Sequence, residues 1–192
     1  MAVDATWLEA ARQSVIGYRR MIDAAVAQLS DEQFEQRPAD NFASVAVLLR
    51  HLGGNLQSRW TSFLDEDGEK DTRDRDAEFV DWPGDRQSLM QWFDDGWQCL
   101  VKTLDVLTEP DLQRTVLIRG QSHTVPEAIM RSLNHIAYHV GQLVWVARLV
   151  FNDDVRWQWL TIAPGASQQF NQTTWGTAAS RGVAGDDSVG EE

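Results

Sequence analysis

Residues 129–147, IMRSLNHIAYHVGQLVWVA, are the stretch that decides the fold. Their apolar side chains recur at alternating three- and four-residue steps, which is the period of one face of an α-helix. The same stretch places His135 and His139 four residues apart, so both rings project from adjacent turns. We therefore predict an amphipathic helix that carries two imidazoles beside its buried face.

Three earlier segments repeat this period. Their apolar stripes run from Leu8 to Leu29, from Val45 to Phe63 and from Leu89 to Leu107. The charged link DEDGEKDTRDRDAEFVDWPGD, between the second and third stripes, is too long for a tight turn between helices. Long helices with one irregular crossover predict an all-α protein, a four-helix bundle.

Short features surround the fourth helix. The β-branched runs in RTVLIRGQSHTV flank a glycine and predict a small hairpin before the helix. Thr124 and Glu127 have the spacing of a capping box at the helix start. After the helix, DVRWQWLTIAPGASQQF is expected to pack on the bundle, which gives a domain over residues 1–175. Residues 176–192 are small, polar and acidic, and we expect a disordered tail there.

The charge balance limits the partners. The net charge of −12, from 17 basic and 29 acidic side chains, should repel nucleic acid and anionic membrane. No apolar run is long enough to span a bilayer, and no export signal is visible at the start. With a single cysteine, Cys99, the chain has no internal disulfide. We expect a cytoplasmic protein without nucleic-acid or membrane partners.

The histidines suggest a metal site. Neutral imidazoles at this helical spacing can chelate one metal ion, and a third ligand should come from another helix. His51, in LLRHLGGN, lies at the shoulder of the second apolar stripe, as His135 and His139 do on the fourth. Helices that face each other through these stripes would bring the three rings together. The alternative is that each ring is a hydrogen-bonded core histidine.

Polar residues accompany the histidines on both helices. Asn55 and Arg59 follow the first histidine, and Arg131 and Gln142 flank the pair. A buried arginine or amide is costly unless it is paired, so these groups could bind one another or an anion. The alternative for Arg59 is that it extends past the helix edge to the acidic link at residues 65–76.

The strings HLGGN and NHIAYHVGQ together resemble the DinB/YfiT-like four-helix metalloproteins. RWTSFLDEDGEKDTRDRDAEF and PGASQQFN are similar to one largely uncharacterised branch, and the resemblance covers about residues 5–172. It implies a DinB-type bundle in which His51, His135 and His139 hold a divalent transition metal such as zinc, nickel or iron. It also implies a homodimer. Relatives with known activity include transferases and isomerases that use low-molecular-weight thiols.

Three histidine ligands leave an open coordination position, which marks a reactive metal site. Cys99 lies away from the apolar stripe of its helix, and no nucleophile elbow or phosphate loop is present. The nucleophile must then arrive on the metal, as a thiol or as water. Our hypothesis is a thiol-dependent S-transferase that acts on small electrophilic molecules through a metal-bound thiolate. The alternatives are a hydrolase that uses metal-bound hydroxide and a non-enzymatic, stress-related metal-binding protein.

Five residues are assigned to this chemistry. Arg59, Asn55 and Tyr138 are the catalytic candidates, and Arg131 and Gln142 the candidates for binding the thiol cofactor. The arginines and the amide could bind a carboxylate of the thiol or of an acidic small-molecule substrate. Tyr138 could donate a hydrogen bond or be a packing residue. No carboxylate stands at helical spacing beside the histidines, so the general base is unassigned, which favours the thiolate mechanism.

Two further interpretations concern loops. His123, in the predicted hairpin, is interpreted as a surface or loop histidine. The PGASQQFN segment could close over the bundle mouth as a lid, with Ser167 and Asn171 facing the ligand, or be a plain packing segment.

Overall fold

The computed structural model describes residues 5–176 of the chain, so the predicted tail lies outside the described residues except for Gly176. Clustering of contacts divides the chain into two compact units, Met1–Trp157 and Gln158–Glu192. The described part is mostly helical, which confirms the all-α class. The elements of the first unit are α1 (Ala5–Val26), α2 (Asp31–Glu35), α3 (Val45–Trp60), α4 (Arg86–Val106), β1 (Thr115–Ile118), β2 (Gln121–Thr124) and α5 (Val125–Phe151).

The four long helices α1, α3, α4 and α5 coincide with the four predicted stripes. Nearly all stripe residues are buried, and Tyr18 and Val144 are half-buried. Helix α3 packs mainly on α4, α1 packs on α5, and α3 also contacts α5. The apolar period therefore identified both the helices and the faces that they bury.

Helices α3 and α4 approach each other backbone to backbone. A Cβ atom at Gly96 would collide with the carbonyl oxygen of Gly53 and lie 3.0 Å from its Cα. Because glycine weakens a helix interior by about 1 kcal/mol relative to alanine, a glycine there needs a packing reason. The close crossing of α3 and α4 is that reason for this pair.

The predicted hairpin and helix start are present. Strands β1 and β2 pair antiparallel, and Arg119 and Gly120 form the two-residue turn with φ values of 55° and 71°. Positive φ at both positions is the pattern of a type I′ turn. At the start of α5, the Thr124 side chain accepts from the Glu127 backbone N–H, and the Glu127 carboxylate accepts from the Thr124 backbone N–H.

The crossover, residues 61–85, connects α3 to α4 and contains a 3₁₀ helix at Asp76–Phe79. Asp67 fastens it to the hairpin, because its two carboxylate oxygens accept the backbone N–H groups of Arg119 and Gly120 at 2.8 and 2.6 Å. The crossover also sends a carboxylate, Glu78, into the interior. Specific hydrogen bonds and a buried side chain thus hold the crossover in place against the rest of the domain.

Two short helices were not predicted. Helix α2 begins after a capping box at Ser30, between the first and second predicted stripes. Helix α6 (Ser167–Trp175) lies in the second unit, where the sequence predicted a packing segment, and none of its residues is buried. The packing of this segment on the bundle stays a prediction.

Within residues 5–176, none of the helices combines the length and the apolar character that a membrane crossing requires.

Candidate metal centre

His51 on α3 meets His135 and His139 on α5. The His135 Nε2 atom lies 3.3 Å from His51 Nε2 and 3.2 Å from His139 Nε2, and one ligand atom from each ring lies within 4.8 Å of the others. Tetrahedral zinc with Zn–N bonds of about 2.0–2.1 Å separates neighbouring nitrogens by about 3.3 Å. The three histidines therefore form a group that could hold a metal ion.

The helices bring these rings together because they run antiparallel. Near the end of α3, the Trp60 indole N–H donates to the Ser132 hydroxyl at 3.1 Å. That contact fixes the register of the two helices and places the middle of α3 opposite the two histidines of α5. The predicted meeting of the two apolar shoulders is the geometry that the structure shows.

Burial keeps the α5 histidines neutral. It lowers the pKa of His135 to about 3, with further lowering by positive charge on His139 and His51 and on nearby arginines. Burial and His51 lower the pKa of His139 to about 4, against a smaller opposing contribution from Gln142. Metal binding requires deprotonated imidazole, so both rings are in the ligand form at neutral pH.

His51 is held from behind by a carboxylate. Its Nδ1–H donates to Glu78 Oε2 at 2.8 Å, and its ring stacks on Phe79 at 4.7 Å between centroids. In a neutral imidazole this leaves Nε2 as a free acceptor that faces the other two rings. A carboxylate behind a ligating histidine fixes the tautomer and the orientation of the ring.

Glu78 is itself fixed by an arginine. Arg73 binds both of its oxygens, Nε to Oε1 and Nη2 to Oε2, each at 2.7 Å. Burial would raise the pKa of Glu78, but the hydrogen bonds from Arg73 and His51 and their positive charge outweigh burial and lower it. Glu78 is therefore a fully engaged carboxylate at neutral pH.

The network continues along the crossover to Glu69. Arg73 Nη1 donates to Glu69 Oε2 at 3.2 Å, and the same oxygen accepts from Arg59 Nη2 at 3.4 Å and from Arg119 Nε at 3.3 Å. One carboxylate thus serves arginines from the crossover, α3 and the hairpin. Sequence reasoning missed Glu78, Arg73 and Glu69, because they occupy a segment without helical period.

One sequence signal could have found Glu78. The string HLGGN contains a second glycine, Gly54, and a Cβ atom there would collide with Glu78 Oε1 and lie 2.9 Å from its Cδ. The missing side chain leaves the space that the carboxylate occupies beside α3. Consecutive glycines inside a helix are unfavourable, so they indicate that something lies against the backbone.

The α5 histidines lack such support within residues 5–176. The Nδ1 atoms of His135 and His139 are buried and have no hydrogen-bond partner there, and the same is true of Gln142 Oε1. The rings are instead positioned by α5 itself and by edge contacts, such as the 5.0 Å contact between the Tyr138 and His139 rings. The two sides of the site are therefore built differently.

A cavity of about 940 Å³ opens beside the three histidines. All five residues assigned from the sequence line it, namely Asn55, Arg59, Arg131, Tyr138 and Gln142. Five arginines line it in total: Arg59, Arg73, Arg75, Arg119 and Arg131. Tyr138 is 62 % exposed, and its hydroxyl accepts from Gln142 Nε2 at 3.0 Å.

Both sequence interpretations of Arg59 apply, because its side chain pairs with the acidic link and also lines the cavity. It reaches the acidic link through Glu69, as the alternative interpretation proposed. It does so while only 7 % exposed, beneath the link, and it lines the cavity.

The other sequence candidates lie elsewhere. His123 is on β2 opposite Val116, and Cys99 is on α4 with the Thr61 hydroxyl at 3.8 Å from its sulfur. In the described part of the chain, neither residue lines the histidine cavity. Ser167 and Asn171 are on α6 in the second unit, so the lid stays a prediction.

The chain was compared with known families, curated proteins and solved structures. Residues 2–166 match the family described as "Protein of unknown function (DUF1572)". No curated protein and no solved structure matches the chain. Because the match covers well over half of its length, the chain belongs to this uncharacterised family.

Proposed function

We propose that this member of the DUF1572 family is a metal-dependent enzyme of the DinB-like four-helix type. Its reaction would be the transfer of a low-molecular-weight thiol to a small electrophilic molecule. One observation carries the proposal: three imidazole nitrogens converge at the wall of an open, polar cavity. A purely structural metal site would be closed on all sides by protein ligands.

His51, His135 and His139 would hold the metal, with Glu78 fixing the first of them. Histidine ligation suits zinc, nickel or iron. A divalent ion bound there would supply Lewis acidity, lowering the pKa of a coordinated thiol or water to near neutrality. The protein supplies the orientation of the rings and a cavity that excludes bulk water from one side.

The proposed reaction joins the thiol sulfur to the substrate and releases a leaving group. The thiol loses its proton to solvent, and its sulfur forms a bond to an electrophilic carbon of the substrate. The leaving group departs from that carbon with the bonding electron pair and takes up a proton from solvent. Arg59, Asn55 and Tyr138 would contact the substrate from the cavity wall, while Arg131 and Gln142 would bind the thiol.

The lack of an available general base favours thiol transfer over hydrolysis, which is the second candidate function. A coordinated thiol is deprotonated outright, whereas a coordinated water ionises less readily, so a hydrolase depends more on a base that accepts a proton at the reacting centre. Both oxygens of Glu78 are occupied by Arg73 and His51, and its lowered pKa makes it a weak base. Glu127, the acidic residue among those lining the cavity, is engaged by the Thr124 backbone and hydroxyl. A preformed thiolate needs no such base.

The proposal includes a cytoplasmic homodimer. Trp145 and Leu149 on α5 are 63 % and 47 % exposed, and apolar side chains of this size on one helix favour association. Sedimentation of the purified protein tests this part independently of the chemistry.

Metal analysis tests the centre itself. Purified protein should contain about one transition-metal ion per chain, and His51→Ala should lose most of it, since two imidazoles do not close a site. His123→Ala is the matched control, because it removes a histidine outside the cavity, and its metal content should equal that of the parent. Equal metal content in all three proteins contradicts the proposed centre.

The dependence of turnover on a thiol then distinguishes the proposed transferase from a hydrolase and from a non-enzymatic protein. The metal-loaded protein is mixed with an electrophile panel, with and without glutathione, bacillithiol or mycothiol. Turnover that requires a thiol supports transfer, and turnover without one assigns the protein as a hydrolase. A metal-loaded protein that is inactive across the panel favours the third alternative, a non-enzymatic metal-binding protein.

A further inference from the structure

The cavity has two chemically different ends. Three polar residues on α3 and three on α5 are each spaced four residues apart, so each row runs about 12 Å along its helix. Because α3 and α5 are antiparallel, the histidines of both rows lie together and the arginines of both rows lie at the other end. The rows are His51, Asn55 and Arg59 on α3, and His139, His135 and Arg131 on α5.

Arg59 is a buried cation with donors left over. Its side chain is 9 % exposed, and its one hydrogen bond within the described chain is the long one to Glu69. Its Nη1 atom is buried without any acceptor in the described residues. A buried guanidinium normally satisfies several of its five N–H donors, so Arg59 is short of anionic partners.

Positive charge accumulates around Arg59. Burial lowers its pKa, and the charges of Arg73, Arg131 and Arg119 lower it further, against the opposing charge of Glu69 and a weaker interaction with Asp67. Glu69 is shared with Arg73 and Arg119, and so cannot neutralise them all. Since a guanidinium stays charged at neutral pH, this end of the cavity keeps an excess of positive charge.

The crossover holds the Arg59 side chain in place. Gly68 lies against it so closely that a Cβ atom there would be 2.8 Å from Arg59 Cδ and 3.0 Å from Nη1. The Gly68 segment is fixed in turn, because the Ser58 hydroxyl donates to the Gly68 carbonyl at 3.1 Å and the Gly68 N–H donates to Leu117 O at 2.9 Å. The guanidinium is thus preorganised at the cavity wall.

Asn55 stands between the two ends. The residue is 8 % exposed and lines the cavity. Its side-chain amide forms no hydrogen bond with the described residues. A ligand that extends from the arginines to the histidines would pass this amide. The path from one end to the other is therefore polar along the α3 wall.

We propose that the arginine end of the cavity is a carboxylate-binding subsite, in which Arg59 and Arg131 anchor an acidic small molecule whose reacting group extends to the three histidines. This inference deepens the proposed function and rests on it, because it names the chemical class of the ligand. The ligand is a thiol or an electrophile that carries a carboxylate several atoms away from the reacting atom.

A singly charged carboxylate fits the arginine end of the cavity better than a phosphate does. Arg73 is committed to Glu78, and Arg119 is half-exposed and paired with Glu69. Arg75 lies over the Phe79 ring, beside His51 at the histidine end. Arg131 is exposed and the structure gives it no ion pair with the described residues, so it joins the incompletely paired Arg59 as the second cation of this end. Two guanidinium groups match the two oxygens of one carboxylate.

The test compares 6-mercaptohexanoate with 6-mercaptohexanamide, which carry the thiol five methylene groups from the acid or amide group and differ in one negative charge. Binding to zinc-loaded and to metal-free protein is measured by calorimetry and by the arginine side-chain NMR signals. We expect the acid to bind about tenfold more tightly than the amide, as for one hydrogen-bonded charge pair. The Arg59 signal, assigned from its absence in Arg59→Gln, should shift with the acid and stay in place with the amide.

Substitutions locate the preference. In Arg59→Gln and in Arg131→Gln the preference for the acid should fall to about threefold, because each variant removes one of the two cations and keeps the other. Arg20→Gln removes one positive charge from the exposed surface of α1, and should keep the tenfold preference. Gly68→Ala keeps both charges but displaces the Arg59 guanidinium, and should weaken the preference.

Each outcome of these binding experiments either supports or overturns the carboxylate-binding subsite. Equal binding of acid and amide by the parent, or an unchanged preference in Arg131→Gln, overturns the subsite, even if Arg59→Gln fails to fold. If inorganic phosphate competes with 6-mercaptohexanoate more strongly than acetate does, the carboxylate assignment is overturned. Acid preference in metal-free protein that never retains a metal upholds the subsite and refutes the proposed enzyme. A zinc-loaded, thiol-dependent enzyme without acid preference does the reverse.

Discussion

The two walls of the histidine site are built in opposite ways. On the α3 wall, His51 is fixed by Glu78, which is fixed by Arg73, and the side chains of all three are at most 5 % exposed. On the α5 wall, the outer nitrogens of His135 and His139 have no hydrogen-bond partner within residues 5–176. One wall is positioned by an ionic network and the other by the packing of a single helix.

This difference shows what the crossover contributes. The helix of the α5 wall places its two rings by spacing alone, since residues four apart share a face. The α3 wall carries a lone ring, and a lone imidazole can rotate about its own bonds unless a second group restrains it. The crossover supplies that group, so the longest irregular segment of the domain is the part that orients the ligand.

The largest expected effect comes from breaking the α3 wall with Glu78→Gln. It removes the bidentate partner of the buried Arg73 and leaves that arginine only the carboxylate of Glu69, which it shares with two other arginines, so it should cost about 3 kcal/mol of unfolding free energy. Zinc affinity should fall about 10- to 100-fold, because His51 loses its outer carboxylate. Urea unfolding and competition with a zinc chelator measure the two effects.

The matched change on the α5 wall is Gln142→Leu. Gln142 is the smallest of the influences on the His139 pKa, and His139 Nδ1 has no hydrogen-bond partner within the described residues, so zinc affinity should change by less than about threefold. Equal losses of zinc affinity in the two variants would remove the difference between the walls.

A smaller perturbation of the same wall is Gly54→Ala. The added Cβ atom pushes against the Glu78 carboxylate, so the variant should lose zinc affinity by about tenfold although no ligand changes. Gly17→Ala on α1 is the control: nothing lies within 4 Å of its added Cβ atom, and it should stabilise the protein by about 0.5–1 kcal/mol. Chelator competition and thermal unfolding of both variants give the result, and unchanged zinc affinity in Gly54→Ala would mean that Glu78 can move freely.

A smaller loss of stability than that of Glu78→Gln is expected from Asp67→Asn, which loosens the crossover at a distance from the histidines. Burial would raise the pKa of Asp67, but backbone N–H donation from Glu69, Gly120 and Arg119 outweighs burial and lowers it. The variant should cost about 1–2 kcal/mol at neutral pH, since charged acceptors form the stronger hydrogen bonds.

The pH dependence of this cost has a defined sign. A carboxyl group with a lowered folded-state pKa stabilises the protein above its unfolded pKa, near 4, and loses this contribution as pH falls through the folded value. The difference between the parent and Asp67→Asn should therefore be full above about pH 4 and shrink in stronger acid. Thermal unfolding at a series of pH values measures it, and a difference that grows in acid would contradict the assignment.

Periodicity explains how much the sequence could predict. The stripes of α3 and α5 fixed which faces meet, and the three histidines stand on the shoulders of those stripes, so their convergence was predictable. The Thr124 capping box was readable for the same local reason. Glu78 was not, because its position depends on how a non-periodic link folds over α3. Helix α6 was also missed, since its apolar stripe is weak and none of its residues is buried.

The arginine-lined cavity has a further consequence for how ligands arrive. The chain carries a net charge of −12, so a small anion approaching from solution meets repulsion at long range and attraction only within the cavity. Dissolved salt screens interactions beyond about 8–10 Å far more than contacts inside the pocket. Moderate ionic strength should therefore speed the capture of an acidic ligand, the reverse of the usual salt effect on electrostatic steering.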